Sequence, residues 1–150
     1  MSDAFGYLAG LKVKEDDTAE MDLYGIELPN GEVPVLIGRH GGETNKPYAN
    51  AIVKNSVQQQ KIVRAGKMNV AMLQRNRDED RLLYSKHVIT GWRGVCDASG
   101  KEVPFSQESC HHFFQALPDD IFDSVREFFG NPANFRQGID PEDAADKGKI

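Results

Sequence analysis

Cysteine is scarce in this chain: Cys96 and Cys110 are the only two in 150 residues. A pair so placed gives no disulfide framework of the kind that staples small secreted domains, so reduced thiols are expected. Basic charge is in deficit, with 18 Lys and Arg against 23 Asp and Glu and a net charge of -5. Neutralising phosphates needs the opposite balance, so a dedicated nucleic-acid binder is not expected. No apolar run approaches the roughly 20 residues that span a bilayer, so no membrane association is expected either. The start, Met1-Ser-Asp-Ala-Phe, lacks the basic beginning and apolar stretch of a signal peptide, and a cytoplasmic protein is expected. Repeats and heptads are missing, which removes solenoids and coiled coils.

What is present is an ordinary globular composition, 39% hydrophobic and 27% charged. The chain is long enough for one domain with a real core. Residues 1–19, with glycines at 6 and 10 and the acidic Glu15-Asp16-Asp17, read as a flexible N-terminal arm. From Met21 the pattern alternates up to Pro29-Asn30-Gly31-Glu32, and Val33 to Ile37 follows. Asn-Gly between two β-rich runs predicts a hairpin, since both turn positions need positive φ. Pro34 then belongs on an edge strand.

Asn45 and Pro47 signal a helix running from about Pro47 to Arg64. A short segment from Met68 to Leu73 is next. The acidic Asp78-Glu79-Asp80 then predicts the first turn of a helix to about Thr90, with Leu82, Ser85, Val88, Ile89 and Trp92 on one face. Asp97-Ala98-Ser99-Gly100 reads as a turn flanked by short strands at Val95 and Val103. Ser106 caps a helix whose apolar face holds Cys110, Phe113, Phe114 and Leu117. A second, after Pro118-Asp119-Asp120, carries Ile121, Phe122, Val125, Phe128 and Phe129 and stops at Gly130. One further turn fits Asn131 to Arg136. Residues 137–150 hold almost no apolar side chain and read as a disordered acidic tail. The fold expected is α+β, an N-terminal β-hairpin packed on four or five helices, with one domain over residues 20–136.

Chemistry is harder to find. His87, Cys96, Cys110, His111 and His112 are zinc-type ligands, but neighbouring His111 and His112 point about 100° apart on a helix and no C-x-x-C knuckle exists. No G-x-S-x-G element presents a nucleophile. The paired carboxylates sit where first turns want negative charge. No catalytic residue, metal or cofactor is therefore expected. Between Arg39 and Lys86 there are ten Lys and Arg against four Asp and Glu, a candidate docking surface for an acidic partner or for the protein's own acidic ends. Phe113, Phe114, Phe122, Phe128 and Phe129 are many rings for two short helices. Any beyond the needs of the core would line a groove for a partner helix.

Val88-Ile89-Thr90-Gly91-Trp92-Arg93-Gly94-Val95 and the run Asp97-Ala98-Ser99-Gly100-Lys101-Glu102-Val103-Pro104-Phe105-Ser106 resemble the central signature of tail assembly chaperones of long-tailed bacteriophages. In that signature an aliphatic helix end leads to Gly-Trp-x-Gly, a D-x-x-G turn, and Pro-Phe/Tyr-Ser opening the next helix. Arg39, Asn45 and Tyr48 resemble the family's arginine and N-x-x-Y element, and the likeness covers about Met21 to Arg136. It implies a non-catalytic protein of the infected cell's cytoplasm, not expected in the mature virion. Such a protein binds the helical tape-measure protein and keeps it soluble while tail-tube subunits assemble. A frameshifted longer form would recruit tube protein, and several copies on one client are plausible. Gly91, Trp92, Gly94, Asp97, Gly100, Pro104, Phe105 and Ser106 then carry the signature, with Trp92, Pro104 and Phe105 expected to fix the turn rather than touch the client. Candidate partner contacts are the five phenylalanines with Arg39 and Tyr48. The alternative function is a structural tail or head-tail completion protein.

Overall fold

A computed structural model describes residues 4–64 and 70–136, with side chains described outside 56–72. The tail expected at 137–150, and Met68 and Asn69 of the expected short segment, lie outside these residues. An antiparallel sheet of order β1-β2-β3 packs on helices, the α+β arrangement expected from the sequence. No helix among the described residues is long and apolar enough to cross a membrane.

Strands β1 (Thr18–Asp22) and β2 (Val35–Arg39) pair from Thr18 opposite Arg39 to Asp22 opposite Val35. β1 thus takes in Thr18 and Ala19, which the sequence reading leaves in the N-terminal arm. The hairpin is wider than expected. Asn30-Gly31 does turn, with Gly31 at φ 75° and its N–H donating to Leu28 O at 2.8 Å. That turn lies inside a long connection, not between strand ends. Pro34 is buried just before the first paired residue of the central strand, not on an edge. There its missing N–H costs no ladder bond. Gly38 is required on β2: a Cβ would come within 2.8 Å of Val88 O and 3.0 Å of Phe129.

Helix α1 (Lys46–Arg64) begins at Asn45, whose side chain accepts from Tyr48 N and donates to His87 O at 2.7 Å. Helix α2 (Val70–Leu83) is one continuous element, where the sequence suggested a short segment and a later start at Asp78. A π-type turn, Tyr84–Val88, closes it.

The sequence reading carries that helix to Thr90, but the chain turns instead into a third strand, β3 (Ile89–Arg93), paired with β2. Leu36 faces Trp92, Ile37 faces Gly91, and Gly38 faces Ile89, so Thr90 is the extra residue of a bulge. A regular strand would send Ile89 and Trp92 to opposite faces. The bulge turns both inward, to 4% and 8% exposure.

Helices α3 (Gln107–Ala116) and α4 (Asp119–Gly130) agree with their sequence signals, and the extra turn is a 3-10 segment at Pro132–Asn134. Their inner faces give the centre of the core: Cys110, Phe114, Phe122, Val125 and Phe129 are completely buried. Burial pushes the Cys110 thiol up to about 12, which keeps it protonated and unreactive.

Candidate functional site

The signature residues build one corner between β3 and α3. Gly94 leaves the strand at φ 75°, a conformation that favours glycine. Asp97 then organises the turn: its Oδ1 accepts from Ser99 N, Ser99 Oγ and Lys101 N, and Gly100 completes it at φ 85°. The Ser99 hydrogen bond, then that from Lys101, holds the Asp97 carboxyl below the usual range. Val95 and Val103 flank the turn as expected, with Val103 N donating to Val95 O at 2.9 Å. Trp92 lies within the corner. Its Nε1 donates to Val103 O at 2.8 Å, and its ring meets Phe105 and Phe113 edge-on at 5.3 and 5.6 Å. Pro104 is exposed at the bend, and Gly91 stands in β3 opposite Ile37. Ser106 opens α3 with a reciprocal cap: its Oγ accepts from Ser109 N, while Ser109 Oγ accepts from Ser106 N.

The candidate partner contacts divide sharply. Phe114, Phe122 and Phe129 have no exposure at all, and Tyr48 has 8%. None of the four can line a groove, because each fills space between the helices and the sheet. Phe113 and Phe128 are half-buried against that core. Tyr48 stacks edge-on to Tyr84 at 5.4 Å and donates to Asp80 Oδ1 at 3.3 Å. Burial first, then the neighbouring Tyr84 and Asp80, drives its phenol far above the ordinary tyrosine range.

The sequence reading missed a charged seam between α2 and α4. Arg77 grips both oxygens of Asp123, at 3.0 and 3.1 Å. Arg81, only 4% exposed, donates to Phe114 O at 2.8 Å, Leu117 O at 3.1 Å, Asp78 at 2.7 Å and Asp119 at 2.8 Å. Its guanidinium also lies 5.0 Å from the centre of the Phe122 ring. Arg126 reaches back from α4 to Asp80 at 2.8 Å. Burial raises the Asp80 carboxyl despite Arg126, whereas hydrogen bonds from Arg81 and Arg77 lower Asp119 and Asp123 respectively. The available signal was spacing: arginines at 77 and 81 match carboxylates at 119 and 123, each pair one helical turn apart. Two of the ten basic residues read as a docking surface, Arg77 and Arg81, are therefore consumed inside the fold.

Arg39 is not among them. Arg75, Arg77, Arg81, Arg93 and Arg126 each hold a carboxylate, but Arg39 pairs with none among the described residues. It lines a cleft of about 360 Å³ with Lys86, His87, Thr90, Phe105 and Gln107, between the start of α1, the bulged strand and the start of α3. Burial, then Lys86, lowers the His87 imidazole. A second cleft, about 520 Å³, runs between α2 and α3 past Gln74, Leu82 and His111. The zinc-type residues are not gathered: among the described residues no group of three or more His, Cys, Asp or Glu is arranged to hold a metal ion.

Large exposed apolar side chains are also unevenly placed. Phe5, Leu11, Tyr24, Val33, Val53 and Leu73 all precede α3, α4 and the signature corner.

No curated protein and no solved structure matches the chain. Residues 43–147, which take in the whole signature corner, match the family described as YdaY prophage protein, and the chain belongs to that phage-derived family.

Proposed function

We propose that the chain is a non-catalytic tail assembly chaperone that binds the tape-measure protein in the cytoplasm of the bacterial host. The observation that carries this reading is the coincidence of a prophage family match with the signature run: residues 91–106, which resemble the chaperones, lie inside the matched 43–147. The geometry agrees with such a role. A tape-measure chain presents long amphipathic helices whose apolar stripes aggregate unless covered, and helix-on-surface binding covers them. Phe114, Phe122 and Phe129 are wholly buried, leaving only Phe113 and Phe128 of the five rings partly exposed on α3 and α4, so the reading puts the client's contact on the N-terminal half. There Tyr24, Val53 and Leu73 stand 78%, 63% and 59% exposed.

Co-expression with the long helical protein encoded beside it in the prophage tests this reading. Solubility of that protein, and its elution together with this chain, is the expected result. An insoluble partner, with this chain instead found at fixed copy number in purified particles, would overturn it in favour of a structural tail or head-tail completion protein.

A further inference from the structure

We propose that the cleft lined by Arg39, Lys86 and His87 is a docking site for the chain's own acidic segment Asp140-Pro141-Glu142-Asp143. The cleft brings a guanidinium and an ammonium together, and neither has a carboxylate partner among the described residues. Carboxylate is the complementary chemistry, since a guanidinium fork donates to two carboxylate oxygens and an ammonium adds a point charge. Gln107 and Thr90 on the same wall add polar side chains, and Phe105 and Ile89 give a floor for the proline ring.

The described chain ends near Arg39. Phe135 is 4% exposed, with its ring 5.3 Å from that of His40, and His40 Nε2 lies 3.2 Å from Gly130 O. The end of the described chain is thereby held beside the residue that follows Arg39. From Arg136, four extended residues span up to roughly 13 Å to Asp140. Residues 137–150 carry Asp140, Glu142, Asp143 and Asp146 against Lys147 and Lys149, so the acidic part comes first. The family match over residues 43–147 includes this stretch together with Lys86 and His87, while Arg39 precedes it. The inference goes beyond the chaperone reading and does not depend on it, because the cleft and its charges are the same whatever the partner.

Carbodiimide coupling on the full chain, as an equal mixture of ordinary and nitrogen-15-labelled protein, tests it. The expected product is an amide between Lys86 and Asp140, Glu142 or Asp143 within one copy. It should form several-fold more often than links from the same carboxylates to the exposed Lys54 or Lys101, and fall several-fold in high salt. In the full-length D140N/E142Q/D143N variant, the backbone amide resonances of residues 39, 86, 87 and 90 should shift while those of α4 stay in place. Links that join labelled to unlabelled copies would overturn the proposal and make a second copy the occupant. Links to Lys86 no more frequent than to Lys101, with unmoved resonances, would also overturn it.

Discussion

The two halves of the described chain treat apolar side chains in opposite ways. From Gln74 onward, twelve large hydrophobics are buried and none is exposed; before it, Leu23, Leu36 and Tyr48 are buried while six stand in solvent. The later half, with β3, α3 and α4, therefore concentrates the burial that drives folding. It also carries the α2–α4 seam, in which no buried side-chain polar atom lacks a partner among the described residues. The earlier half contributes two strands and the first turns of α1 to this body and leaves apolar surface over. On the proposed function, stability and partner contact fall to different parts of one domain, and substitutions should separate them.

The largest effect is expected at the centre of the later half. Phe122→Ala removes a ring with no exposure that touches Tyr84, Phe114 and Arg81, and should cost about 3 to 5 kcal/mol in denaturant unfolding. A loss under about 1 kcal/mol would show that the core tolerates a cavity there and would break the comparison.

Arg81→Ala comes next. It strips donors from the Phe114 and Leu117 carbonyls, at roughly 1 to 3 kcal/mol for a buried acceptor left unpaired. The variant should also change the acid limb of stability. Asp119 and Asp123 have folded-state values below the ordinary 3.8. Their contribution is therefore full above that value and lost as pH falls through the lowered one. With Arg81 gone, the Asp119 part of this slope should shrink in pH-dependent urea melts, because Arg81 is the largest of its partners, while the Asp123 part, held first by Arg77, persists.

A smaller effect belongs to the signature corner. Ser106→Ala removes the reciprocal cap of α3 and should cost about 1 kcal/mol, a fall of roughly 2 to 4 °C in Tm. Smallest for stability, within about 0.5 kcal/mol, is the double change Val53→Ser with Leu73→Ser on exposed helix positions. Those same changes should reduce co-purification of the tape-measure partner several-fold. If instead they lower Tm as much as Ser106→Ala and leave partner capture intact, the earlier half is structural and the division fails.

The later half was also the more legible in sequence. Helices α3 and α4 announce themselves through local signals: Ser106 as cap, apolar spacing along one face, and Gly130 as stop. Strand β3 did not, for a physical reason. The bulge at Thr90 puts Ile89 and Trp92 on one face three residues apart, a spacing that in an unpaired sequence reads as a helix. Pairing with β2 overrides that reading, and no local feature reveals it. Asp119 and Asp78 were assigned to helix first turns, a sufficient reason for their charge, which hid their pairing with Arg81. The signature's residue types were legible, and so was their role at a turn. The burial of Phe114, Phe122 and Phe129 was not, because periodicity identifies an apolar face without saying how much of it the rest of the chain covers.

The central claim is that partner contact lies apart from the buried body, and hydrogen–deuterium exchange on the chain alone and on its complex with the tape-measure protein tests it most directly. The account predicts slower exchange on binding in the β1–β2 connection around Tyr24, in α1 near Val53 and in α2 near Leu73, with α3 and α4 unchanged. Slowing confined to α3 and α4 would contradict it and return the partner surface to the phenylalanine helices.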